Sequence, residues 1–239
     1  MQINDRASAF ILGVCILLGL TVLGYFLADA AIEFKQFDRS VTVKGLSERE
    51  VKADIVIWPI EFTVADNNLE QLYQTIDSNT AKIKSFLEKH AIQSEEISLS
   101  SPAINDKTAQ QYGGGPAPQY RYSAVQTVTV YSKNIDAVRS VMSSLSELGK
   151  QGIVFSGGGY QYQTEYLFTR LNEVKPEMIE EATRKAREVA EKFATDSQST
   201  LGKIKKASQG QFSINARDKN NPHIKKVRVV STVQYYLSD

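Results

Sequence analysis

Catalysis needs an acid, a base, a nucleophile or a metal held beside a partner, and the rarest such residues in these 239 are Cys15, His90 and His223. Cys15 is the one cysteine and lies in an apolar N-terminal run, so the rest of the chain has no thiol for a disulfide, a zinc site or a nucleophile. His90 follows Lys89 where a helix should end, and there the helix dipole favours a cationic ring. His223 follows Pro222 in a turn and reads as a solvated loop residue. With no second histidine or cysteine at ligand spacing, no metal or cofactor is expected.

Carboxylates are plentiful, but Glu95-Glu96 and Glu180-Glu181 are adjacent in sequence, and neighbours on a helix point about 100° apart. They read as solvated charges. Asp54 and Glu61, along one long strand, are better placed to line a pocket, although Glu61 alternates onto the face opposite Trp58, the expected wet face. The glycine runs 113–115 and 157–159 lack the following helix and lysine of a phosphate loop and read as bends. Lys203, Lys205 and Lys206 form one basic cluster and Lys225, Lys226 and Arg228 another. Each opens its own strand, so in an antiparallel hairpin they lie at opposite ends and do not combine into a patch. With 28 Lys and Arg against 27 Asp and Glu, no global field exists to attract nucleic acid, and none is expected as a partner. Tyrosine is more suggestive, since it joins an apolar face to a polar tip. Tyr120, Tyr122, Tyr160, Tyr162 and Tyr235 are candidates for an interface with a second copy or another protein.

The elements that must position these residues follow from periodicity. Val56, Trp58, Ile60, Phe62 and Val64 alternate on one face of the clearest strand, and Pro59 puts that strand at an edge or in a bulge. Asn67 or Asn68 caps a helix with Leu69, Leu72, Ile76, Ile83, Phe86 and Leu87 on one side, and Asn134 caps a second. Asn105 to Gln119 reads as a mobile loop. Tyr120 to Tyr131 and Ile153 to Phe155 read as strands. Pro176 suits the first turn of the longest helix, with Ile179, Ala182, Ala186, Val189 and Phe193 as its buried stripe. Two strands near 204–214 and 227–237 close the chain. The order ββαββαβαββ predicts an α+β fold, a largely antiparallel β-sheet with helices packed on one face.

Before this body, Ala7 to Ala28 carries no charge and is about 33 Å long as a helix, enough to cross a hydrocarbon core of about 30 Å. A cleaved secretory signal is the competing reading, with Ala28-Asp29-Ala30 as its weak cleavage site, but signal peptides have apolar regions of only about 7–15 residues. The expected division is a tail over 1–6, a transmembrane signal anchor over 7–28, a linker over 29–39 and one α+β domain over 40–239. Charge counting across the span does not set its orientation.

The chain resembles the SIMPL-domain family through Val41-x-Val43-x-Gly45, Lys52-Ala53-Asp54 leading into the long strand, Ile92 with Glu96-Ile97, and Tyr122-x-Ala124-x-Gln126. The run Pro176 to Ala182, continuing through Ala186 and Ala190 to Leu201-Gly202, completes the likeness. Ala53 stands where typical members have a proline. The resemblance implies a bacterial envelope protein linked to oxidative-stress defence, held in the inner membrane by a single pass with its soluble domain in the periplasm. The expectation is a non-catalytic protein that binds envelope proteins or itself. The alternatives are a hydrolase using carboxylates such as Asp54 and Glu61, and a small-ligand-binding module with the loop 105–119 as lid.

Overall fold

The structure, a computed structural model, describes residues 5–37, 39–109, 118–156 and 163–239. The chain opens with one long helix, α1 (Asp5–Phe37), within which Ser8–Ala30 is long and apolar enough to cross a membrane and is not buried. Where a linker over 29–39 is expected, the helix continues to Phe37. Then follow β1 (Ser40–Lys52), β2 (Ile55–Asp66), α2 (Leu69–Lys89), β3 (Ile97–Leu99), β4 (Ala103–Asp106), β5 (Tyr122–Ser132), α3 (Ile135–Ser144) and α4 (Ser146–Gly149). The chain finishes with β6 (Val154–Phe155), β7 (Glu165–Leu167), α5 (Leu171–Asp196), β8 (Thr200–Gln209), β9 (Ser213–Ala216) and β10 (Ile224–Ser238). The fold is α+β, as expected, but its strands are divided between two sheets, and β4 and β7 are too short to have shown a periodicity.

The backbone forms two compact units. The first comprises Met1–Glu48, Lys175–Ser213 and Arg228–Asp239. Its sheet has the order β1-β10-β8, and the pairing of β10 with β8 is antiparallel. Helix α5 buries Met178, Ala182, Ala186, Ala190 and Ala194, an alanine row at helical spacing that lets the helix lie directly on β1. The expected stripe through Val189 and Phe193 is corrected: these are 37% and 54% exposed. Small side chains, not large ones, face the sheet here, because Gly45 brings the β1 backbone against Ala182 and leaves no space for more. Pro176 also lies further in than expected, since α5 begins at Leu171.

The second unit comprises Arg49–Val174 and Ile214–Val227. Its centre is β2 paired antiparallel with β5 from Val56↔Ser132 to Asp66↔Tyr122; β3 and β4 extend β5, and β6 and β7 extend β2. The buried face of β2 carries Val56, Trp58, Ile60, Phe62 and Val64, and packs with Leu72, Ile76, Ile83 and Leu87 of α2, Val138 and Val141 of α3 and Leu148 of α4. Asn68 caps α2, accepting from the amides of Glu70 and Gln71 at 2.8 and 3.2 Å, and Asn134 caps α3 through Ala137. Pro59 sits in an inner strand, not at an edge. The carbonyl of Glu61, two residues on and so on the same side of the strand, accepts from Ser156 beside β6. The N–H that Pro59 lacks would therefore point into the gap between Ile55–Ile57, which pair with β7, and Phe62–Thr63, which pair with β6, and the β5 register is unbroken.

Candidate functional site

At one end of β2 the second unit brings together several ionisable groups. The end of β1 and the β1–β2 turn supply Lys52, Ala53 and Asp54, the β5–α3 connection and the start of α3 Lys133 to Asp136, the segment before α5 Thr169 and Arg170, and the turn before β10 His223. The turn is pinned by its backbone: the amide of Ala53 donates to the His223 carbonyl and that of Asp54 to the Leu167 carbonyl, both at 2.8 Å. Two concavities adjoin it, of about 540 and 150 Å³, sharing Lys52, Ala53 and Lys133.

Asp54 faces the larger one, but its carboxylate is already engaged. Both oxygens accept from the Thr169 amide at 3.0 Å, one accepts from the Thr169 hydroxyl at 3.1 Å, and the Arg170 guanidinium stands 3.4 Å away. These bonds join the β1–β2 turn to the entrance of α5, where a negative charge is also favoured by the helix dipole. Such an Asp54 is a structural clasp.

Glu61 lies elsewhere. It is half-buried on the outer face of the sheet, in a shallow concavity with Ile57, Pro59, Thr127, Thr129 and Glu165. Seven residues of extended chain, about 23 Å, separate it from Asp54. The two candidate pocket carboxylates therefore do not converge, and a mechanism that shares a proton or a water between them has no geometry to use.

His223 is the residue whose sequence reading fails. It is not a solvated loop residue: its ring meets Tyr166 edge-on at 6.0 Å, and its Nδ1 is buried without a hydrogen-bond partner. Burial holds its pKa below the usual histidine value, and Arg139 acts in the same sense, partly opposed by Asp136. Pro222 and a polar turn gave no signal of this, because the ring is enclosed by segments distant in sequence. His90, in contrast, does cap α2, its Nδ1 2.8 Å from the Phe86 carbonyl.

The tyrosine candidates separate. Tyr120 is 42% exposed. Tyr122 packs partly on the core with the Arg121 guanidinium 4.8 Å over its ring, and Arg121 in turn grips Asp106 at 3.0 Å, closing the base of the loop expected over 105–119. Tyr235 is corrected as an interface residue: at 2% exposure it belongs to the core of the first unit with Val43, Ala186, Ala190 and Val233. Tyr160, Tyr162, Gly157 to Gly159 and residues 110–117 of the loop lie outside the described residues. Of the basic clusters, Lys203 to Lys206 lie on β8, which the β1-β10-β8 order leaves at the sheet's edge, as expected of protective lysines. Lys225 and Lys226 lie on the inner strand β10.

Among the described residues no three histidine, cysteine or acidic side chains are grouped so as to hold a metal ion. The residues that carry the family likeness have structural work in this fold. Gly45 admits α5, Asp54 clasps the α5 entrance, and Ala124 is 1% exposed. Gln126 is buried, accepting from Thr80 and donating to the Ser100 carbonyl, both at 2.9 Å. A search of curated proteins gives no match. A family model, SIMPL, described as a protein of unknown function (DUF541), matches residues 41–234. Those residues span both units, so the match takes in the Gly45 contact, the Asp54 clasp and the Gln126 network together, and the chain belongs to the SIMPL family.

Proposed function

We propose that this is a non-catalytic envelope protein, retained in the inner membrane by α1 with its body in the periplasm, that binds other envelope proteins or its own copies and supports tolerance of oxidative stress. The observation that carries the interaction reading is the outer face of the six-stranded sheet. Helices α2 to α4 pack on the inner face, and the outer one presents Ile57, Pro59 and Val125 beside the exposed Tyr131, Val154 and Leu167. A partly exposed sheet face of this kind, apolar groups interspersed with Glu61, Thr127, Thr129 and Glu165, is suited to a protein partner. Tyr120, exposed at the entrance to β5, extends the candidate surface, whereas Tyr122 shares the core-facing side of β5.

Retention is supported by the length of Ser8–Ala30 and by the unbroken helix beyond it. The test is the mass of the full chain in lipid nanodiscs, with crosslinking in intact cells and a periplasmic reporter fused to the C-terminus. A strictly monomeric chain that crosslinks to nothing would refute the interaction reading, and an inactive reporter the location. Loss of the protein should lower survival in peroxide.

A second reading, a small-ligand-binding module, is favoured by the orphaned Nδ1 of His223 beside Lys52 and Lys133, an arrangement suited to a small anion. Titration with inorganic phosphate, followed by the histidine NMR signals, tests it. A saturable shift of His223 that weakens in Lys52→Gln supports the reading, and an unmoved His223 signal removes it.

A further inference from the structure

The first unit is coupled to α1 with almost no slack. Seven residues of helix, about 10 Å, separate Ala30 at the end of the apolar span from Phe37, and β1 begins at Ser40. The headgroup layer outside the hydrocarbon is itself about 5–8 Å deep. Arg39, at the exit, is tied to the unit by three bonds. Its carbonyl accepts from the Leu237 amide at 2.9 Å, and its guanidinium pairs with Asp239 and donates to the Ser199 hydroxyl at 3.2 Å. The start of β1, the end of β10 and the turn from α5 into β8 therefore meet just after α1.

That turn is well formed. Gln198 takes a positive φ of 55°, its amide bonds the Thr195 carbonyl, and the Ser199 amide bonds the Ala194 carbonyl, the two bonds of a Schellman cap. One turn back stands Phe193, 54% exposed, with Val189 behind it at 37%. The alanine row faces the sheet, and among the described residues neither of these two large apolar groups belongs to the first unit's core. Charge at this end is balanced, Arg39 and Lys192 against Asp196 and Asp239, which argues for apolar insertion and not for attraction to anionic lipid.

We propose that this end of the first unit rests on the bilayer, with Phe193 seated among the headgroups and upper acyl chains. The seat rests on the reading of α1 as a retained span, and its occupant is the lipid surface that α1 itself brings within reach. It would hold the body at the membrane instead of letting it swing on its anchor.

The test uses the full chain in zwitterionic phosphatidylcholine nanodiscs, carrying Trp58→Phe to remove the only tryptophan. A tryptophan is then placed by Phe193→Trp, by Leu20→Trp within the span, or by Glu180→Trp, about 20 Å back along α5. Lipids brominated high in the acyl chain should remove most of the emission at position 193, lipids brominated near the chain end should remove that at position 20, and neither should change position 180, in low and high salt alike. Quenching at 20 without quenching at 193 overturns the seat while leaving the anchor standing. No quenching at 20 refutes the anchor. Equal quenching at 180 and 193, or a blue-shifted 193 that bromine does not touch, as burial against a second copy would give, also overturns the seat. Should Trp58→Phe fail to fold, a spin label introduced by Phe193→Cys in Cys15→Ser reads the same depth through its accessibility to dissolved oxygen.

Discussion

Gly45 on β1 lies so close to Ala182 on α5 that a methyl group added to it would overlap the Ala182 carbonyl oxygen and stand 2.5 Å from the Ala186 nitrogen. Backbone fills the gap, and backbone cannot yield as a flexible side chain can. Gly45→Ala should therefore lift α5 from the sheet and cost about 3 kcal/mol or more. Gly202→Ala, whose new methyl would meet Tyr236 at 3.1 Å, should cost about 1 kcal/mol. Urea melts of both variants, followed by circular dichroism in detergent, check the order; equal stabilities would contradict the close approach.

Asp54→Ala should destabilise the second unit by about 2 kcal/mol, because it leaves the Thr169 amide without its acceptor. Asp54→Asn keeps one acceptor oxygen and should recover part of that loss. In a double-mutant cycle, Thr169→Val should lose less in the Asp54→Ala background than in the wild type. Additive losses would show that the clasp contributes nothing.

His223 gives stability a pH dependence. Its folded-state pKa lies below the usual 6.5, so the unfolded chain binds the proton more readily. Stability should be full above about pH 6.5 and fall as the pH drops below it. His223→Gln should flatten that part of the profile, measured by thermal melts from pH 8 to 5. A profile unchanged by the substitution would mean that the ring is not desolvated.

Asp106 titrates in a lower window. The hydrogen bond from Arg121 holds its carboxyl at about 2, against 3.8 for a free aspartate. Because the folded pKa is the depressed one, the contribution of the pair is present above 3.8 and lost as the pH falls toward 2. Carboxyl carbon NMR should place the Asp106 midpoint near 2 and return it toward 3.8 in Arg121→Gln.

Tyr235 and Tyr120 should respond in opposite ways. Tyr235→Ala empties a buried site and should cost about 3 kcal/mol in melting experiments. Tyr120→Ala should change stability by no more than about 0.5 kcal/mol. If Tyr120 belongs to the interaction surface, that variant should weaken crosslinking to partners; unchanged crosslinking removes it from the surface.

The sequence by itself determined whatever depends on local order. The apolar run from Ala7 to Ala28, the period-two face of β2, a cap at Asn67 or Asn68, the cap Asn134 and the helical place of His90 are all readable there, because each is set by neighbours within a few residues. Tertiary structure decided what depends on distant segments meeting. It buried Tyr235 and the Nδ1 of His223, spent the Asp54 carboxylate on Thr169, 115 residues away, and separated Asp54 from Glu61. It also exposed Phe193, because Gly45 and the alanine row bring α5 too close to β1 for a larger side chain to fit between them. Periodicity records which residues share a face of an element, but not what that face will meet.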